Sequence, residues 1–300
     1  MHIRGVFIED TFAEAFGMRA SRIVITARTL KWARTAGQKL TGFATSVIAC
    51  KCEAGIEREL TETETPDGRP GVSVLFFTMD SDGLGKRLIE RIGQTVLTCP
   101  TTSCFDGLPE CADRLSSGRA IRVFGDRYQI SKVVDGRRYW RIPVMEGEFL
   151  LSETFGMQKK SVAGGNFLIL AEDEDAALAA AEAAVAAIDG SPDVILPFPG
   201  GVVRSGSKVG ARHYKEMVAS TNDAYCPTLR PLVDSSLPEG VNAVLEIVLD
   251  GLSAPAIHAA MRNGIDAACR PGIRAITAGN YGGKLGPYHF HLRQIMGAAS

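Results

Sequence analysis

Residues 197–227, PFPGGVVRSGSKVGARHYKEMVASTNDAYCP, gather polar groups on a backbone path fixed by prolines at both ends and four glycines. A mere connector would be shorter and would not need this chemistry. The stretch reads as the wall of a site for a polar, anionic small molecule, with Phe198, Gly200, Gly201, Arg204, Ser207, Lys208, Ser220, Thr221, Asn222, Asp223 and Tyr225 as candidate ligand contacts. Arg204, Lys208, Arg212 and Lys215 are spaced to hold several carboxylates or a phosphate, or else form a solvated basic face. A second cluster, Asn280, Tyr281 and Lys284, lies in AGNYGGKLG, where asparagine and glycine also suit a tight bend.

Glu246 is the sharpest single residue. In VNAVLEIVLDG, Val241, Ala243, Leu245, Ile247 and Leu249 make one face of a strand, and Glu246 points to the other with Val244 and Val248. Were that second face covered, the carboxyl would lose water, its pKa would rise, and a neutral acid able to donate a proton would exist at neutral pH. Were it open, Asn242, Glu246 and Asp250 would simply be wet, as one face of an antiparallel sheet often is.

Other chemistries fail on spacing. Gly201 to Lys208 lacks the terminal Gly-Lys-Ser/Thr order of a phosphate loop, and Gly279 to Lys284 has too few residues between its glycines, with Leu285 where a hydroxyl should stand. The seven cysteines contain no Cys-x-x-Cys pair and no histidine at zinc spacing, so they read as free thiols. His289 and His291 can share one face of a strand, but no third ligand is near; no metal is expected.

The elements that must position these groups come in two similar sets. EDTFAEAFGM precedes the apolar run at 22–27, and SETFGM precedes NFLILA at 166–171. Helical spacing follows each: Leu30, Ala33, Gly37 and Leu40, then Leu178, Ala181, Val185 and Ile188, the second with acids at 173–175 and Gly190 past its end. Short strands are predicted at 46–50 and 193–196, long ones at 71–78 and 241–250, helices at 84–94 and 254–269, and closing strands at 95–98 and 273–277. In the helix at 254–269, Ile257, Ala260, Met261, Gly264, Ile265 and Ala268 form a wide apolar stripe. Asp135-Gly136 marks a hairpin in the first half. This is strand-helix-strand twice per half: an α+β protein of two similar ferredoxin-like (split βαβ) lobes from an internal duplication, residues 1–150 with a hairpin insertion and 151–300 carrying the active-site loop.

At 300 residues, 45% hydrophobic and net charge −1, the chain can build a real core and offers no bulk attraction to nucleic acid or membrane. No run is long enough to span a bilayer and the N-terminus lacks a signal-peptide core, so a cytoplasmic protein is expected.

The segments GVFIEDTFAEAFGM, TGFATSVI, TPDGRPGV, RIGQTVLTCPT, IPVMEGEF, VAGGNF, PFPGGVVRSGSKVG, STNDAYCPT, LPEGV, EIVLDGL and AGNYGGKLG occur in one order over almost the whole chain. In these the chain resembles the formylmethanofuran–tetrahydromethanopterin formyltransferases, and by its near-neutral charge and Ala/Arg content resembles the methylotrophic-bacterial type. The resemblance implies transfer of a formyl group between the amine of methanofuran and N5 of tetrahydromethanopterin as co-substrates, with no metal or permanent cofactor. It further implies a homotetramer, membership of a formyltransferase/hydrolase complex with other subunits, and work in formaldehyde oxidation. A strand glutamate stands at the family's reacting centre, and Glu246 is the match. Phe198, Tyr225 and Tyr281 would flank the flat rings. No serine or cysteine nucleophile has a neighbouring histidine, which favours direct transfer in a ternary complex. The rival is a non-catalytic coenzyme-binding or scaffold subunit; a weaker one is a regulatory binder of some other metabolite.

Overall fold

The computed structural model describes residues 1–298. Its principal elements are β1 (Phe12–Thr26), α1 (Leu30–Thr41), β2 (Glu53–Leu60), β3 (Gly71–Thr78), α2 (Ser81–Arg91), β4 (Ser103–Asp106), β5 (Gln158–Ala171), α3 (Glu174–Ile188), β6 (Ala243–Gly251), α4 (Ala254–Ala268), β7 (Ile273–Thr277) and β8 (Tyr288–His291). The architecture is mixed α and β around one large mixed sheet. Its spine is the antiparallel pair β1 and β5, joined through their first halves with Phe16 opposite Ala163 and Met18 opposite Ser161. Past that junction β1 takes β3 and β4 as neighbours, and β5 takes β6 and β7.

Alternation decides which side chains meet the helices. Val72, Val74 and Phe76 of β3 join Ala33, Leu40, Leu84 and Leu88 in the N-terminal core, while Ile247 and Leu249 of β6 join α3 and α4 in the C-terminal core. The stripe on α4 is buried as its spacing predicts. α3 and α4 pack closely because the buried face of α3 is Ala177, Ala180, Ala181, Ala184 and Ile188, and because Gly264 leaves the room that Ile188 and Phe167 fill. Side-chain caps start three helices: Asp80, Asp173 and Ser253 accept from the backbone N–H of Gly83, Ala176 and Ala256.

Several sequence expectations are corrected. Residues 46–50 do not form a strand: Val47–Cys50 is a helical turn after Ser46, Lys51 leaves it in the left-handed region at φ 66°, and β2 begins at Glu53. Residues 95–98 are not a strand either. Ile92 and Val96 continue the four-residue spacing of Leu84 and Leu88, so a π-helical turn (Ile92–Val96) prolongs α2 on its buried side. Leu178 lies 49% exposed, one position off the alanine face that carries the packing. The strands at 22–27 and 166–171 are only the distal ends of β1 and β5. The hairpin is present, Ile130–Val134 against Arg137–Val144, with positive φ at Asp135 and Gly136 as a two-residue turn requires. The strand Gly147–Ser152 pairs with Arg137–Val144.

Candidate active site

Glu246 sits in mid-β6, opposite Leu168 of β5 on one side and Val203 of a short strand, Val202–Val203, on the other. Its neighbours on that sheet face belong to an apolar patch of Leu168, Leu170, Leu237, Val241 and Ala275, with Val244 and Tyr225 packed against it. The segment running from Tyr225 to Val241 therefore partly covers the face that the strand pattern left open, and Val244, Glu246 and Val248 remain half-buried there. Burial pushes the Glu246 carboxyl up to about 7, and no neighbouring cation or donor offsets it. At neutral pH about half of this group is a neutral acid, against about one part in several hundred for an ordinary carboxylate.

Glu14, which like Glu246 lies near Tyr281, behaves in the opposite way. It is 1% exposed. Its carboxylate accepts four backbone N–H groups from the glycine-rich turn: Tyr281 (2.6 Å) and Gly283 (2.9 Å) on one oxygen, Leu285 (2.5 Å) and Gly286 (2.6 Å) on the other. Burial alone would raise its pKa, but the four donors together outweigh it and hold the group at about 2. The turn is thus folded around a buried anion. Asn166 of β5 ties its start, receiving the Gly279 N–H at 2.6 Å and donating to the Gly279 carbonyl. Asn280 completes the anchorage by donating to Thr11 and to the Phe12 carbonyl. Tyr281 is delivered into the site: its phenol is pushed up by burial and by the nearby Glu246 and Glu14, and its ring meets Phe16 with centroids 6.4 Å apart.

The remaining candidates separate into several groups. Tyr225 lines the apolar patch beside Glu246, its phenol half-buried and turned toward Thr277. Lys208 and Asp223 pair at 2.5 Å, which lowers the Asp223 carboxyl below its usual range and joins the two ends of a small ribbon, Lys208–Val209 against Ala219–Ser220. Ser220 donates to Gly210, and Thr221 and Asn222 bind the Cys226 thiol, so these three residues shape the loop from within. Arg204, Ser207 and Lys284 are exposed and make no ion pair among the described residues. Phe198 is half-buried just before the turn. Gly200 and Gly201 are both at positive φ; a Cβ on Gly201 would meet Leu196 and Val185 at 2.9 Å, so this glycine is required by packing on α3 rather than by an approaching ligand.

Sequence reasoning missed Glu14 and Asn166. Glu14 was legible as an acid among apolar neighbours in FAEAFG, but its partners lie more than 260 residues away. His289 and His291 pack on Phe12, with ring centroids 4.8 and 5.3 Å away. Among the described residues no group of three or more His, Cys, Asp or Glu side chains is placed to hold a metal, and no helix is long and apolar enough to cross a membrane.

Two family models cover the chain: formylmethanofuran-tetrahydromethanopterin formyltransferase over residues 1–144 and the proximal lobe of the same family over 147–295. The formyltransferase of Methylobacillus flagellatus is 61% identical, the match covering 99% of this chain and all of that one. The structure of the Methanosarcina barkeri formyltransferase superposes with a TM-score of 0.94 at 48% identity, covering 99% of this chain and all of that one. A chain of the formyltransferase/hydrolase complex of Methylorubrum extorquens, solved with methylofuran, gives 0.95 at 49%, covering 99% and 98%. With both halves matched and identity high over the full length, the chain belongs to the formylmethanofuran–tetrahydromethanopterin formyltransferase family.

Proposed function

We propose that this enzyme transfers a formyl group between the amine of methanofuran and N5 of tetrahydromethanopterin, and that Glu246 is its reacting acid. The observation that carries the role of Glu246 is a half-buried carboxyl on an apolar sheet face with no cation beside it, near a turn held by Glu14. The attacking nitrogen adds to the formyl carbon, and the carbonyl oxygen gains negative charge in the tetrahedral intermediate. Neutral Glu246 donates a hydrogen bond to that oxygen. On collapse the carbon–nitrogen bond to the departing amine breaks, Glu246 gives that nitrogen its proton, and the proton lost by the attacking nitrogen restores the acid. Tyr281 and Tyr225 flank the same face and suit flat rings. Holding both carriers side by side makes the step unimolecular, which lowers the barrier by orientation. A non-catalytic scaffold is not favoured, because the full-length relatives carry the name of the enzyme.

Each half reads as a split βαβ lobe of a duplicated fold. The division near residue 150 is supported by the meeting of the two family models between 144 and 147. Methanofuran and tetrahydromethanopterin act as co-substrates, with no resident cofactor. The relative from Methylorubrum extorquens is named as one subunit of a formyltransferase/hydrolase complex, which supports a similar assembly here, beside the homotetramer and the cytoplasmic setting that the family resemblance implies. The exposed Val209, Tyr214, Val218 and Leu232 around the 208–220 ribbon suit such a contact. The test is formyl transfer by Glu246→Gln, followed by pterin absorbance: a fall of about 10²–10³-fold is expected with folding retained, and parental rates would falsify the assignment.

A further inference from the structure

Two acids face each other in the seam between the N- and C-terminal halves. Asp250 is 0% exposed and Glu53 9% exposed. Asp250 lies on β6, four residues beyond Glu246 and on the same sheet face; Glu53 opens β2. One Asp250 oxygen accepts the Gly164 N–H at 3.0 Å, and the other is buried without a conventional donor. Glu53 accepts the Val47 N–H at 3.1 Å, and its carboxyl reaches Asp250. No basic side chain acts on either group. Two carboxylates so placed and so dry cannot both be charged; a single proton between them satisfies the orphaned oxygen and removes the repulsion. We propose that Glu53 and Asp250 share one proton and form a latch between the two halves of the chain, acting as positioning residues for the strand that carries Glu246.

The surroundings place the latch where slack would reach the site. The short strand Val194–Ile195 pairs with β6 at Asp250 and presses its Ile195 onto β2 at Gly55, where a Cβ would come within 2.9 Å. A small apolar cluster spans the same seam, with Met18, Ala20, Leu75 and Phe77 from one half and Ala163, Ile195 and Leu252 from the other. The other titratable groups around the pair are the Cys50 and Cys52 thiols next to Glu53, with Arg87 and Arg91 of α2 acting on those thiols, and the Arg22, Glu57 and Asp193 cluster further along the seam. Arg22 is ion-paired with both acids of that cluster, at 2.6 Å for Glu57 and 2.5 Å for Asp193. Burial raises both acids, and the Glu53 charge raises Asp250 further while the hydrogen bond between them offsets part of the rise at Glu53, so the pair keeps its proton above the ordinary carboxylate range. Its stabilisation is complete at pH below that range and is lost as pH rises toward the folded-state titration of the pair. The functional half of the proposal rests on Glu246 being the reacting acid; the latch itself does not.

The latch is tested in Glu246→Gln protein, which removes the titration of that acid. Between about pH 5 and about pH 8.5 its melting temperature should fall by on the order of 5–10 °C through this pair. Adding Asp250→Asn should abolish that component, because its carbonyl keeps the Gly164 N–H and its amide hydrogen permanently replaces the shared proton; groups common to both proteins cancel. Equal slopes overturn the latch. Glu53→Gln gives the same comparison if Asp250→Asn does not fold. If neither folds, the infrared carbonyl band of a protonated carboxylic acid in Glu246→Gln protein at about pH 6.5, where ordinary carboxyls are ionised, decides, its presence supporting the latch and its absence overturning it. With Glu246 intact, Asp250→Asn should keep kcat for formyl transfer within about twofold, whereas Asp250→Ala should lower kcat at least about tenfold with KM little changed. An Asn variant as slow as the Ala variant, or a loss confined to KM, overturns the positioning role. Should Glu246→Gln itself transfer at the parental rate, the active-site reading fails while the melting comparison still stands.

Discussion

Replacing Glu14 by glutamine changes one oxygen to an amide and should loosen the whole 279–286 turn. The magnitude follows from the structure in two ways. The carboxylate is held at about 2 against an unperturbed 4.5, a difference of ~2.5 pH units, or ~3 kcal/mol at 1.36 kcal/mol per unit. Separately, glutamine can accept two of the four N–H groups, and its own NH₂ then faces two buried donors. Losing two charge-assisted bonds at ~1.5–3 kcal/mol each gives ~3–6 kcal/mol. The two routes meet near 3 kcal/mol, which for a chain of this size lowers Tm by roughly 5 °C. Because the folded-state pKa is depressed, this stabilisation is present above about pH 4.5 and is lost as pH falls toward 2. Hydrogen exchange read by mass spectrometry on Glu14→Gln should show faster exchange at the amides of Tyr281, Gly283, Leu285 and Gly286. Transfer activity should fall with it, since Tyr281 is placed by that turn. A variant that melts within about 1 °C of the parent, with those amides still protected, would refute the claim that the turn is folded around an anion.

Three further outcomes can be checked directly. Formyl transfer should decline about tenfold per pH unit above roughly pH 7, as Glu246 loses its proton, and Glu246→Gln should lack that alkaline limb; a parental profile flat from about pH 6 to about pH 9 would contradict the neutral-acid role. Gly286→Ala drives a Cβ into the Ala15 carbonyl oxygen, a backbone atom that cannot swing aside, so a loss of ~2–4 kcal/mol in denaturant unfolding is expected, and a loss below ~0.5 kcal/mol would count against the packing of the turn on β1. Lys208→Ala removes a partly exposed ion pair, so melting should hardly move, while limited proteolysis within residues 204–232 should accelerate; an unchanged cleavage rate would mean that the pair does not fasten the ribbon.

Local pattern made much of the scaffold legible. The stripe on α4, the all-apolar β3 and the Asp135-Gly136 hairpin are short-range signals, and each occupies its expected place. The pattern misled where two periods overlapped. Val47 to Cys50 is apolar enough for a strand but is closed into a helical turn after Ser46, and the spacing of Leu84, Leu88, Ile92 and Val96 extends a helix where a strand was expected. The segments quoted from the sequence were enough to indicate the family, because their order along the chain is itself specific. What they left open was the state of each acid. Glu14, Glu53, Glu246 and Asp250 are all carboxyl groups in or beside apolar runs, and nothing in the neighbouring residues separates them. Folding puts four N–H donors around Glu14, no cation or donor around Glu246, and another carboxyl against Asp250. Short-range patterning was therefore sufficient for the long strands and most of the helices, whereas the different surroundings of the acids arose on folding. A titrating group responds to the water, dipoles and charges within a few ångströms, and here those come from residues distant in the chain.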